Sequence, residues 1–172
     1  RIILSGDSAG GNLCCSLTTR IIQENLQKPI GILLSYPVVM MNACGSISRM
    51  VFAQDPVLNF QSMQIVLGSY LGARTDLAAT EPLVSPAVLP DELLKQFPQT
   101  VIMVGDTDPI IDDSTFFFQR LREVGVPTKL QIYRRLPHGY LNLPSQLPNA
   151  PRAISDAGKF IKMMMHDDDK QR

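Results

Sequence analysis

The sequence is short of what metal, nucleic-acid and membrane proteins need. It has two histidines, His138 and His166, and three cysteines, Cys14, Cys15 and Cys44. So few ligands leave a zinc site little to draw on, and neither metal nor cofactor is expected. An odd, low cysteine count suits a reducing compartment, hence the cytoplasm, better than a disulfide scaffold. Cys14 and Cys15 fall on a predicted helix, where a buried, small apolar role is expected. Neither charge sign is in excess, since 16 Lys plus Arg balance 16 Asp plus Glu. Nothing therefore points to nucleic acid or an anionic membrane as partner. No apolar run reaches the ~18 residues of a membrane span, and no stretch reads as a signal peptide, an internal repeat or a low-complexity tract. What is there is ordinary for a globular protein: 172 residues, 45% hydrophobic and 19% charged, enough for one domain with a real core.

Apolar strands alternate with helical patterns along the chain. Residues 2 to 5 read as a strand and 10 to 26 as a helix, with Leu13, Leu17, Ile21 and Ile22 near helical spacing. Ile30 to Tyr36 is nearly all apolar, as a parallel strand buried on both faces would be. Residues 38 to 58 have no clean period. A helix is predicted from Phe60 to Leu71, with Met63, Val66, Leu67, Tyr70 and Leu71 sharing a face. The segment from about 38 to 72 is a candidate cap or pocket wall. A proline-rich loop follows, with a short helix near Asp91 to Gln96 for which Asp91 is a candidate cap. Thr100 to Val104 is the next strand. A helix carrying Phe116, Phe117, Leu121 and Val124 comes after it and stops at Gly125. Thr128 to Tyr133 alternates like an outer strand, residues 151 to 165 form a last helix, and 166 to 172 read as a polar tail. The repeating strand–helix order predicts an α/β domain with a mostly parallel sheet flanked by helices, and ligands beyond the carboxyl ends of its strands.

Three loops at those ends carry reactive side chains. The first is Gly6-Asp7-Ser8-Ala9-Gly10, a GxSxG turn between strand and helix. Gly6 and Gly10 let strand and helix approach closely, and the turn lifts the Ser8 hydroxyl above the sheet edge. The Ala9 N–H, in the first helical turn, is then the expected oxyanion donor. The second loop carries Asp106 and Asp108, and the third carries His138. A serine hydroxyl needs an imidazole to take its proton, and the imidazole needs a carboxylate to fix its tautomer. His138 is the expected base, because His166 lies in the terminal tail. Asp108, kept extended by Pro109, is favoured as the acid, with Asp106 left open. Asp112 and Asp113 read as helix caps, and Asp55, before Pro56, as a turn aspartate in a place where some hydrolases put their acid.

Gly6-Asp7-Ser8-Ala9-Gly10-Gly11-Asn12, Asp108-Pro109-Ile110-Ile111-Asp112-Asp113 and Leu136-Pro137-His138-Gly139-Tyr140 together resemble the hormone-sensitive lipase family of α/β-hydrolases. Tyr36-Pro37, Gln54-Asp55-Pro56-Val57-Leu58 and Leu83-Val84-Ser85-Pro86 extend the likeness over nearly the whole chain. The resemblance implies a serine hydrolase of carboxylic esters, acylglycerol or sterol esters among them, with Ser8, Asp108 and His138 catalytic and an association with lipid-droplet surfaces. A small-ester carboxylesterase or deacetylase, or a ligand-binding protein on the same fold, is the alternative. The sequence starts inside a central strand and lacks the family's upstream His-Gly-Gly-Gly loop. The expectation is thus the C-terminal portion of an α/β-hydrolase fold, residues 1–165, from a longer protein. The long regulatory insertion of animal members is also lacking, so control through it does not carry over.

Overall fold

The structure, a computed structural model, describes residues 1–42 and 46–171, with side chains through 167. Cys44 lies outside the described residues. Four strands form one parallel sheet in sequential order: β1 (Ile3–Asp7), β2 (Gly31–Ser35), β3 (Thr100–Gly105) and β4 (Thr128–Tyr133). Helix α1 (Ala9–Gln23) joins β1 to β2. Helices α2 (Ile47–Val51), α3 (Phe60–Leu71), α4 (Leu77–Thr80) and α5 (Asp91–Leu94) lie between β2 and β3. Helix α6 (Ile111–Glu123) joins β3 to β4, and α7 (Ala150–Gln171) closes the chain. The last helix therefore runs on through the segment read as a polar tail.

Why the middle strands are apolar throughout is visible in their alternation. Ile32, Leu34 and Ile102 point to the face covered by α1 and α6, packing with Cys15, Ile22, Phe117 and Leu121. Leu33, Val101 and Met103 point to the opposite face, against Phe160 and Met164 of α7. Both faces of the sheet are dry, so no polar alternation survives. A third cluster, with Met63, Leu67 and Leu71 of α3 on Met41, Val84 and Ile110, lies beyond the carboxyl ends of the strands.

Two helices turn differently from their apolar pattern. On α1 the buried residues are Gly11, Asn12, Cys14, Cys15, Thr18, Thr19 and Ile22, while Leu13 is 65% exposed. Small residues win the inner face because the helix sits so close to the sheet: a Cβ on Gly6 would lie 2.3 Å from the Gly10 carbonyl oxygen. Thr18 and Thr19 are buried without loss because their hydroxyls donate to the carbonyls of Cys14 and Cys15, at 2.8 and 2.9 Å. On α3 only Met63, Leu67 and Leu71 are buried, an i, i+4, i+8 stripe, while Val66 and Tyr70 are mostly exposed. Its N-terminus is capped by Asn59, whose side chain accepts from Ser62 N–H at 2.9 Å.

Candidate active site

The carboxyl ends of β1, β3 and β4 bring Ser8, Asp108 and His138 together. Ser8 occupies a turn with φ 52° and ψ −117°, a region that L-residues rarely enter. The turn is pinned by its own backbone: Ser8 N–H donates to Ser35 C=O at 2.9 Å, and Ser8 C=O accepts from Val38 and Asn12 at 3.2 Å each. Its hydroxyl lies 2.8 Å from His138 Nε2. His138 Nδ1 lies 2.9 and 3.1 Å from the two carboxylate oxygens of Asp108. With the ring proton on Nδ1 facing that carboxylate, Nε2 is free to accept from the Ser8 hydroxyl. Asp108 is wholly buried, and one of its oxygens also accepts from Ile110 N–H at 2.9 Å.

The neighbouring aspartates have other partners. Asp106 accepts from Arg135 N–H at 2.6 Å and so holds the loop that leads to His138, not the imidazole. His166 is exposed on α7. Asp112 and Asp113 do not cap α6. They lie inside its first turn, and the N-cap residue is Ile110, which has no capping side chain. Asp112 accepts from Ser48 N–H at 2.9 Å. Asp113 is fully buried, pairs with Arg49 at 2.8 Å and accepts from the N–H groups of Val39 and Met40. Burial raises the Asp113 carboxyl to about 6, against the opposing pull of Arg49. Asp91 likewise does not cap α5, whose N-cap is Pro90. It forms an ion pair with Arg120. Asp55 is a turn aspartate, accepting from Val57 and Leu58 N–H, and its other oxygen accepts from the main-chain N–H of His138 at 3.0 Å.

Three further contacts lay beyond sequence reasoning. Asn12 donates to the carbonyls of Val38 and Val84, at 2.8 and 2.9 Å, tying the loop after β2 to the Leu83–Pro86 stretch. The Tyr36 ring meets His138 edge-on, with centroids 4.9 Å apart, and packs the same way on Tyr140. Arg49, in the segment without a clean period, reaches Asp113 64 residues away. A single basic residue in so apolar a stretch was the available signal. Beside Ser8 and Ala9 opens a pocket of about 220 Å³, walled by Val38, Met40, Met41, Arg49, Leu58, Met63, Val66, Leu67 and Ile110. The described residues include no group of three metal-ligating side chains. No helix among them is long and apolar enough to cross a membrane.

A family model for the alpha/beta hydrolase fold matches residues 1–142. The chain belongs to the α/β-hydrolase family. Among α/β-hydrolases it is similar to an esterase of Acinetobacter venetianus, 28% identical over 92% of this chain and 51% of the relative. It is also similar to mouse hormone-sensitive lipase, 42% identical over 49% of this chain and 11% of that protein. Among solved structures, an esterase from the bacterial hormone-sensitive lipase family superposes with a TM-score of 0.84 at 28% identity, covering 95% of this chain and 53% of that one. The chain thus spans about half the length of the Acinetobacter α/β-hydrolase it matches.

Proposed function

We propose that the protein is a carboxylic ester hydrolase that works through an acyl-enzyme on Ser8. The observation that carries this reading is the continuous line from the Ser8 hydroxyl through His138 to buried Asp108. In this reading His138 Nε2 takes the Ser8 proton as Oγ attacks the ester carbonyl, and Asp108 stabilises the imidazolium that forms. The Ala9 N–H, in the first turn of α1 with no intrahelical acceptor, is one donor to the oxyanion. His138 then returns the proton to the leaving alcohol, and water releases the acyl group by the same route. Val38, Met63 and Ile110 offer an acyl chain an apolar berth beside Ser8. Acylglycerol or sterol esters are the proposed substrates, with the cytoplasm and lipid-droplet surfaces as the setting.

The test uses the full-length protein, p-nitrophenyl esters and a fluorophosphonate probe. The wild type should turn over esters and be labelled at Ser8, and Ser8→Ala should lower kcat on the order of 10⁶-fold. Unchanged turnover in Ser8→Ala would overturn the mechanism. A series of acyl lengths, run as monomers and as emulsions, separates a lipase from a small-ester esterase.

A further inference from the structure

Three of the four strands carry a reactive side chain just past their carboxyl ends: Ser8 after β1, Asp108 after β3 and His138 after β4. Strand β2 carries none, yet it lies between β1 and β3. Neighbouring strands are about 4.8 Å apart, so the loop after β4 brings His138 back across β3 and β2, about 14 Å, to meet Ser8. At the end of that reach stands Tyr36, the residue that follows β2. Its ring is fully buried and meets the His138 ring edge-on, with centroids 4.9 Å apart. Its other face of contact is Tyr140, on the same loop as His138, at 4.8 Å and 76°. One loop thus grips the Tyr36 ring from two positions.

Tyr36 is itself fixed. Its N–H donates to Met103 C=O of β3 at 2.6 Å, and its hydroxyl donates to Asp7, the residue before Ser8, at 3.4 Å. Burial, with the Asp7 charge beside it, pushes the Tyr36 hydroxyl's pKa up, so it stays a donor. The backbone takes φ 38°, a region that side chains rarely enter, and strained positions of this kind gather at working sites. The imidazole, by contrast, is bonded only at Nδ1 and Nε2. Both bonds lie in the ring plane and resist poorly a swing of the ring about the line that joins them. Once Ser8 is acylated its hydroxyl is gone, and Asp108 alone holds the ring by hydrogen bonding.

We propose that Tyr36 is a positioning residue for the base: its ring is the wall against which the His138 imidazole keeps its aim at Ser8 and at the leaving alcohol. This rests on the ester-hydrolase reading above and adds the residue that steadies its base.

The experiment compares Tyr36→Leu and Tyr36→Phe with the wild type, on the full-length protein. It measures p-nitrophenyl butyrate turnover per folded molecule and the proton NMR signal of the His138 Nδ1–H that faces Asp108. Tyr36→Leu should lower kcat about 10–100-fold through misplacement of His138, with KM little changed because Tyr36 does not border the pocket. Tyr36→Phe keeps the ring and should hold kcat within about threefold of wild type, since the hydroxyl contact it loses is long. The downfield Nδ1–H signal should be sharp in the wild type and in Tyr36→Phe, and broadened by exchange in Tyr36→Leu. A residue that only fills space would cost stability in Tyr36→Leu and leave kcat and the proton signal as they were. That outcome overturns the proposal, as does a Tyr36→Phe protein as slow as Tyr36→Leu. Absence of all ester turnover in the wild type would sink the hydrolase reading instead, and the proton signal then decides the role of Tyr36. If Tyr36→Leu fails to fold, Tyr36→Met takes its place under the same expectations. If that fails too, nuclear Overhauser contacts between the two rings in the wild type decide: their presence supports the proposal, and their absence overturns it.

Discussion

The main-chain N–H of His138 donates to a carboxylate oxygen of Asp55, 83 residues away, at 3.0 Å. Asp108 orients the imidazole and Asp55 anchors the peptide that carries it, so the base is held at both ends. Asp55→Ala removes the acceptor of three N–H groups at once, that of His138 buried, and should lower stability by about 1–3 kcal/mol. It should also lower kcat on the order of 10–100-fold through misplacement of His138, with KM little changed because Asp55 does not border the pocket. Asp55→Asn, with one oxygen left to accept, should fall between. Loss of stability with kcat intact would reduce Asp55 to a turn residue.

Gly105 ends β3 where the His138 loop crosses it. A Cβ there would sit 1.9 Å from the Leu136 carbonyl oxygen. Gly105→Ala should force the loops carrying Asp108 and His138 apart, costing about 1–3 kcal/mol in urea unfolding and most of the activity. Gly125→Ala makes the control: φ is +83° but nothing lies within 4 Å, so strain alone should appear, about 1 kcal/mol, with activity kept.

The Asp113 carboxyl, raised by burial to about 6, sets a pH signature. An unfolded aspartate titrates near 3.9, so between roughly pH 4 and 6 the folded state binds the proton more tightly. Stability from this group is thus fully present below that window and lost as pH rises through it, about 3 kcal/mol in all. Urea unfolding at a series of pH values should show that fall in the wild type and its absence in Asp113→Asn. The comparison of the two is cleanest above pH 6, where the wild type holds an ionised carboxylate against Arg49 and the variant a neutral amide.

Burial raises the thiol of Cys14, and that of Cys15 further still, with the neighbouring Cys14 adding to the effect. The thiolate is the reactive form, so iodoacetamide at pH 8 should leave both unmodified in the native protein and label both in urea. Peptide mass spectrometry reads each site separately. Native labelling of Cys15 would mean that α1 leaves the sheet.

The parallel sheet was legible because Ile32, Leu33 and Leu34 are continuous, a pattern that only a strand covered on both faces requires. The Ser8, Asp108 and His138 loops were legible because each follows such a strand. Less visible was anything depending on which distant residues meet. Asp112 and Asp113 stand where capping aspartates stand, and nothing local says that Arg49 will arrive from 64 residues upstream. Periodicity also misled on α1, where Leu13 looks like core. Hydropathy ranks leucine above cysteine and threonine, but the close approach at Gly6 admits only the smaller side chains.

The Ser8 turn has a consequence for how such a protein can be improved. Its φ of 52° is comfortable only for glycine, so the fold is held against a local preference of about 1–2 kcal/mol at that residue. Ser8→Gly should therefore raise the melting temperature while removing the nucleophile. A screen that rewards thermal resistance alone would drift toward a sturdier and silent protein, and it must carry an activity gate to keep the hydroxyl.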